Sequence, residues 1–433
     1  MTFPLKNLLR IISVLLTLTA LAPVGARAGG LTLYEIGTSD TGYASAGYAA
    51  RANDPGTILT NPAGMTRLNE SQVLIGGQLL YGRAKLSTDI INTNVPGNDG
   101  GNAIGLLPGL SAFGTYHYNN DLTFGFGMCS NFGLGLWYDS NWSGRYYARE
   151  SVLMGMSFLP AVAYKVTDQF SVGVALNIML GYFSTKVAIN NINPQWPDGE
   201  MSVKDTTLGL GGNVGLMYEL NKGTRFGVTY NSPVNLDFAA PPKFTTIAPG
   251  LLSILASRGT SFNDLNLGMT VPQGVMASFY HEFNDTWALL GNFGWQDWSQ
   301  FGKVDVSLPA SNASLTTQLN YNDTWHGALG AQYRLSEPWL LTGGVAYDSS
   351  MLDVSNRSPS LPLGWSWRFA VGSQYEMRKD LLLGFSYEYL YAGNPEISKS
   401  GQLPVTLGGR GNLAGSYPNS SIQFLSANAT WKF

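Results

Sequence analysis

Charge is scarce in this 433-residue chain: Asp, Glu, Lys and Arg make up only 12% of it. A water-soluble domain carries about 25%, so a surface wetted on all sides is a poor fit. The deficit falls on both signs, with 25 basic against 28 acidic residues and a net charge of −3. That leaves no basic stripe for nucleic acid, and none is expected as a partner. Cysteine is reduced to Cys129 alone, which excludes an internal disulfide. Histidine is limited to His117, His281 and His326, with no His-x-x-x-His spacing and no cysteine cluster to hold a metal. No phosphate loop, dinucleotide fingerprint or nucleophile elbow occurs, so neither a cofactor nor catalysis is expected. After residue 28 no apolar run reaches the roughly 18 residues of a membrane helix, which excludes helical spans.

Glycine and aromatics are plentiful instead: 52 Gly, 22 Tyr, 20 Phe and 11 Trp. They fall in alternating runs. Between Trp365 and Glu376 one face carries Trp365, Trp367, Phe369, Val371 and Tyr375, and the other Ser366, Arg368, Ala370, Gly372, Gln374 and Glu376. Leu381, Leu383, Phe385, Tyr387, Tyr389 and Tyr391 repeat the pattern opposite Gly384, Ser386 and Glu388. The last run ends Ala427, Ala429, Trp431, Phe433 on one face. A soluble β-sandwich also alternates, but here aromatics gather near strand ends and short connections alternate with long ones. Both are marks of a membrane barrel. Short turns are expected at Asn119-Asn120-Asp121, Thr167-Asp168, Asn221-Lys222-Gly223, Asn284-Asp285, Ser336-Glu337 and Arg378-Lys379-Asp380. Long loops are expected near 84–107, 135–154, 190–205, 239–267, 306–322, 351–363 and 393–419. Together these connections predict an all-β fold: a transmembrane antiparallel barrel of about 14 strands over residues 71–433.

Two segments precede the barrel. Residues 1–28 read as a signal peptide: Lys6 and Arg10 flank an apolar stretch from Ile11 to Ala22, and Ala26-Arg27-Ala28 fits a small-x-small cleavage site. Residues 29–70 do not alternate. Thr41 to Ala50 reads TGYASAGYAA, and Asn61-Pro62-Ala63-Gly64-Met65 follows. A stretch this small and polar cannot build its own core, so a place inside the lumen, as a hatch, is expected.

An ordered series of short motifs resembles the FadL family of outer-membrane transporters for long-chain fatty acids and other hydrophobic compounds. It runs Leu33 and Glu35, Gly42 with the Ala/Gly run, Ala52-Asn53-Asp54 and Asn61-Pro62-Ala63. It continues through Asn131-Phe132-Gly133-Leu134, Trp142-Ser143-Gly144-Arg145-Tyr146, Trp298-Ser299-Gln300-Phe301, Asp323-Thr324-Trp325, Ala346-Tyr347-Asp348 and Asn356-Arg357-Ser358. The resemblance implies a bacterial outer-membrane location and passive uptake, with long-chain fatty acids as the expected cargo and aromatic or aliphatic hydrocarbons as the alternative. It implies a hatch turning at Asn61, Pro62 and Ala63, and a lateral gate at a kink formed by Asn131, Phe132 and Gly133. Ligand contact is implied at Leu31, beside Leu33. The resemblance also implies contact with outer-membrane lipid and lipopolysaccharide, and a monomer is expected.

For a fatty carboxylate, Arg145, Arg149, Lys186, His326 and Arg368 are basic candidates by strand position. The stretch Thr316-Thr317-Gln318 lacks the basic residue that the fatty-acid transporters carry near there. Residues 238–267 hold Phe244, Leu251, Leu252, Ile254 and Leu255, and an outer loop this apolar is expected to capture greasy ligand or to pack against another loop. A general diffusion porin is the rival reading, and the hatch argues against a free pore. A role as phage receptor or adhesin would coexist with transport.

Overall fold

The computed structural model describes residues 31–433 except 193–195, 252, 254–264, 309–312 and 402–404, with the backbone alone at 305–308 and 313–317. The expected signal peptide therefore lies outside the described residues, as do Leu252, Ile254 and Leu255.

Fourteen strands close into one antiparallel barrel. They are β1 (Gln72–Arg83), β2 (Gly105–His117), β3 (Leu122–Trp137), β4 (Glu150–Lys165), β5 (Phe170–Ile189), β6 (Gly199–Asn221), β7 (Thr224–Asn231), β8 (Gly274–Glu282), β9 (Trp287–Gln296), β10 (Thr324–Ser336), β11 (Trp339–Asp348), β12 (Ser366–Arg378), β13 (Leu381–Tyr391) and β14 (Ser421–Lys432). Each pairs with its neighbour in sequence, and β1 closes on β14 from Gln72↔Lys432 to Arg83↔Ser421. All six expected short turns join strand pairs, and the seven long connections gather at the other end. Closure leaves no sheet edge at depth save between the outer halves of β2 and β3, and a closed sheet is how strands satisfy their backbone groups in hydrocarbon.

Residue choice follows from the period of two. On β12, Trp367, Phe369 and Val371 point outward and are exposed, while Arg368 and Ala370 are buried inside. Aromatic neighbours on adjacent strands form two belts. Trp287 lies opposite Tyr333 and Trp339 opposite Tyr375 at the short-turn end, with ring centroids 4.6 Å apart in both pairs. Phe293 with Trp325, and Tyr347 with Trp367, lie toward the long-loop end at 5.3 and 5.0 Å. Two such girdles mark the two faces of a membrane. Among the described residues no helix is long and apolar enough to cross one.

Residues 31–70 fill the lumen. Short helical turns at Ser39–Tyr43, Thr57–Thr60 and Pro62–Arg67 hold the segment compact, and nearly all of it is buried. It lies so close to the wall that a side chain at Gly344 or Gly227 would strike the backbone of Tyr43 or Ala49, and one at Gly215 the side chain of Asn61. Asn61 caps the last turn: its side chain accepts from the Ala63 N–H at 3.1 Å and donates to the carbonyls of Ala49 (2.7 Å) and Leu216 (3.0 Å). Arg51 joins Asp40 and Asp54 at 3.2 and 2.9 Å within the hatch.

Arg225 on β7 donates to the carbonyls of Ala50 (2.6 Å) and Arg51 (2.5 Å) and to Asn53 Oδ1 (3.1 Å), and it lies 3.6 Å from the Tyr280 ring centroid. An Arg225→Met variant strips two buried carbonyls of their donor, at about 1–3 kcal/mol each, and frees the exposed Asn53 side chain. Amide hydrogen exchange over residues 50–54 is expected to quicken at least tenfold (roughly 1.4 kcal/mol of local stability), while the barrel keeps its heat-modifiable gel mobility.

Above the long-loop end lie two small sheets. One has four strands, in the order Ala313–Gln318, Lys303–Leu308, Leu265–Val271, Val234–Ala240. The other joins Ser87–Thr88, Leu413–Ser416 and Glu396–Lys399.

Candidate functional site, a lumen cavity beside a break in the wall

Below the outer loops lies a cavity of about 80 Å³. Leu31 and Leu33 of the hatch line it, with Ile104, Leu134, Leu136, Leu363, Leu390, Ala392, Ile422 and Phe424 from the wall and loops. Arg83 and Arg368 also line it; Arg83 is exposed, whereas Arg368 is buried. An apolar chamber with one buried guanidinium on its wall can hold a greasy molecule and orient a polar head. Its volume falls below the roughly 300–1,000 Å³ of pockets that hold drug-sized ligands, so an occupant of any length has to displace lining side chains.

Arg368 is tightly held. It pairs with Glu35 of the hatch, with Asp348 on β11 through Nε at 2.7 Å, and with Glu388 on β13 at 3.3 Å. The Tyr34 ring centroid lies 5.2 Å from its Cζ. Asp348 also meets His326 Nδ1 at 2.7 Å, and His326 Nε2 lies 3.0 Å from Ser45 Oγ. That chain has the hydrogen-bond order of a hydrolytic triad. Ser45 and His326 are nevertheless both buried, and neither lines the cavity. The chain ties hatch to wall.

Next to the cavity the wall is broken. β2 and β3 pair only from His117↔Thr123 to Ser111↔Cys129. Beyond that point, among the described strands of the wall, residues 105–110 pair only with β1 and residues 130–137 only with β4; at the outer end the Trp137 N–H donates to the Ala103 carbonyl at 2.8 Å. Two local features keep the edges apart. On β3, Asn131 bulges out of register between Ser130 and Phe132, and Gly133 follows at φ +138°, a conformation open to glycine. On β2, Pro108 lies in the unpaired half and has no N–H to offer a new neighbour. The hatch occupies the break from inside: Leu33 N–H donates to the Asn131 carbonyl at 2.9 Å, and Gly133 N–H to the Leu31 carbonyl at 2.8 Å. Thr32 bridges to Phe132 as an added strand would.

Phe132 turns into the largest apolar cluster, which also holds Leu31, Phe238, Trp298, Phe301, Met351 and Leu361. Trp298 lies nearly parallel to Phe132, centroids 6.2 Å apart, and Phe301 meets it edge-on. Apolar surface thus runs unbroken from the four-stranded outer sheet down to Leu31.

Of the basic candidates, Arg368 lines the cavity, and His326 is joined to Arg368 through Asp348. Arg145 pairs with Asp198 at 2.6 Å, Arg149 with Glu200 at 2.8 Å and Lys186 with Glu150 at 2.6 Å, all near the outer ends of β4 to β6 and none lining the cavity. Tyr146 beside them donates to Asp198, and partial burial with that bond pushes its hydroxyl up to about 12, so it stays neutral. In the loop expected to capture ligand, Phe244 and Leu251 are half-buried. Sequence reading assigned no role to Asp348 or Glu388. The signal was there: a lone carboxylate on an inward face, in a chain with so little charge, needs a partner.

A closed barrel with its own N-terminal segment folded inside defines a plugged membrane transport barrel. The chain belongs to the outer membrane transport protein family (OMPP1/FadL/TodX), whose sequence profile matches residues 19–433. It is therefore a transport protein of the bacterial outer membrane, not an enzyme, and it carries hydrophobic compounds. It is 28% identical to outer membrane protein P1 of Haemophilus influenzae, over 87% of this chain and 89% of that one. It is 25% identical to the long-chain fatty acid transport protein of Escherichia coli O6:H1, over 88% and 90%. Its fold matches that of a Pseudomonas aeruginosa FadL homologue with a TM-score of 0.81 at 20% identity, covering 94% and 100%. It also matches the Ralstonia pickettii toluene transporter TbuX, at 0.67 and 18%, covering 93% and 99%.

Proposed function

We propose that the protein takes up hydrophobic molecules passively, by capture among the outer loops, transfer into the lumen cavity, and sideways exit through the break between β2 and β3. The observation that carries this reading is the coincidence of three things: an apolar cavity, a hatch whose Leu31 and Leu33 both line it and plug the break, and the break itself. Lateral exit hands an apolar solute to membrane hydrocarbon without a crossing of water, which favours it by about 25 cal/mol per Å² kept dry. The concentration gradient supplies direction. The barrel closes on itself, so one chain suffices, with its outer loops among lipopolysaccharide.

Long-chain fatty acids are the favoured cargo. Arg368 on the wall of an apolar chamber suits a carboxylate head, and a relative over nearly the full length is a fatty acid transporter. Aromatic or aliphatic hydrocarbons are the second reading, because three carboxylates already surround Arg368. A diffusion porin is disfavoured by the buried, wall-bonded hatch.

Two measurements test the proposal together. Cells carrying the protein are expected to accumulate labelled hexadecanoate well above cells lacking it, and the purified barrel is expected to pass little steady ion current in planar bilayers. Large steady conductance, or uptake equal to the control, would remove the basis for this reading.

A further inference from the structure

Arg368 faces the cavity, yet the hatch's own carboxylate is already on it. We infer that Glu35 stands in for a ligand carboxylate, so that an anionic amphiphile releases the hatch by displacing Glu35 from Arg368, while a neutral amphiphile of equal length binds without releasing it. This rests on the uptake reading above, and it makes Glu35 the residue that decides which ligand class opens the gate.

Position supplies the first argument. Leu31, Leu33 and Arg368 line one cavity, so a chain lying along the leucines brings its head to the guanidinium. Charge supplies the second. Glu35, Asp348 and Glu388 all touch Arg368, with His326 on Asp348. A further carboxylate would be buried without a partner, which is costly. Exchange for Glu35 leaves the count of negative groups around Arg368 unchanged, so an acid is admitted by exchange and not by addition. The latch is also incomplete: Glu35 Oε2 is buried with no hydrogen-bond partner among the described residues. A half-satisfied buried carboxylate is a poor competitor for its cation.

Linkage supplies the third. Glu35 lies two residues from Leu33, whose N–H bonds the Asn131 carbonyl at the break. Loss of the Glu35 contact loosens the strip that fills the break. The rest of the hatch has other anchors, Arg51 with Asp40 and Asp54, and Asn61 with the wall. Movement is therefore confined to residues 31–36.

A nitroxide at Thr32→Cys in the full chain reads that movement, since the one native cysteine, Cys129, is buried. Hexadecanoate is expected to raise label mobility, and hexadecanol to bind without doing so. In Glu35→Gln the label is expected to be mobile without ligand. Hexadecanoate affinity is then expected to rise about tenfold, because ligand no longer has to shift a closed state, while hexadecanol affinity stays within about twofold (under roughly 0.5 kcal/mol). Glu35→Asp, which keeps the charge, is expected to restore a closed resting label. Heat-modifiable mobility confirms that each variant is folded. Equal mobilisation by acid and alcohol, or unchanged hexadecanoate affinity in Glu35→Gln, overturns the latch and leaves uptake standing. Failure of both ligands to bind the unaltered protein overturns the uptake reading and the latch with it.

Discussion

An Asn61→Ala barrel is expected to conduct ions where the parent does not, because this substitution unseats the hatch from the wall. The Asn61 side chain makes three hydrogen bonds in a fully buried place, to Ala49, Leu216 and Ala63. Alanine leaves two carbonyls and one N–H unpaired there, each costing about 1–3 kcal/mol. It also removes the cap of the Pro62–Arg67 turn, worth about 0.5–2 kcal/mol. A compact 40-residue plug with no large core of its own cannot absorb a loss of that size. The strands do not depend on it, since their register is held by backbone bonds from β1 round to β14. Barrel heat-modifiability is expected to be kept, with steady conductance appearing in planar bilayers and protease cutting within residues 50–70. A quiet, protease-resistant Asn61→Ala barrel would mean that the remaining contacts, Ala49 against Gly227 and Arg225 with the Ala50 and Arg51 carbonyls, suffice to hold the plug.

Why was the barrel legible in sequence while its site was only half so? Strand parity is local: Trp367, Arg368, Phe369 and Ala370 alternate in sequence, and their faces follow. Turns are local too, and a cluster such as Asn221-Lys222-Gly223 declares itself. Parity therefore placed His326 and Arg368 in the lumen. Height along the axis is not local. A strand needs about 9–11 residues to cross the membrane, but β5 runs for 20 and β6 for 23. Lys186 sits near the end of β5, so its side chain joins the outer loop layer and pairs with Glu150, far from Leu31. Arg145 and Arg149 share that fate.

Long-range pairing was hidden for the same reason. Nothing in Gly105 to Leu110 announces that its outer edge lacks a partner, although Pro108 hints at it. The apolar stretch near Phe238 read as a loop, whereas Val234–Ala240 is a strand with alternating burial whose Val234, Leu236 and Phe238 fill the cluster around Leu31. Glu35 was visible as a motif residue. Its partner Arg368 lies 333 positions away, and only the fold brings them together.

Replacement of Gly133 by valine is expected to reduce uptake at least tenfold (about 1.4 kcal/mol or more) while ligand binding stays within about twofold. Gly133 sits at φ +138°, and a Cβ there would strike the Leu153 carbonyl and lie 2.7 Å from Met154 Cα. A β-branched residue held in that conformation carries about 1–3 kcal/mol of strain. The cheaper response is for β3 to relax into ordinary extended form. That turns the segment from Gly133 to Trp137 toward the free edge of β2 and draws the two halves of the break together. Gly133 itself lies at the cavity wall, but the side chains that give the cavity its apolar surface, Leu31, Leu33, Leu390 and Phe424 among them, are kept by the substitution. Binding and exit should therefore part company. Gly212→Ala is the matched control: a methyl group there meets only the Ala175 carbonyl, at 3.6 Å, so uptake should be unaffected. If Gly133→Val cells accumulate labelled hexadecanoate as fast as the parent, exit does not run between β2 and β3. The kink at Asn131 would then serve only to seat Leu31 and Leu33.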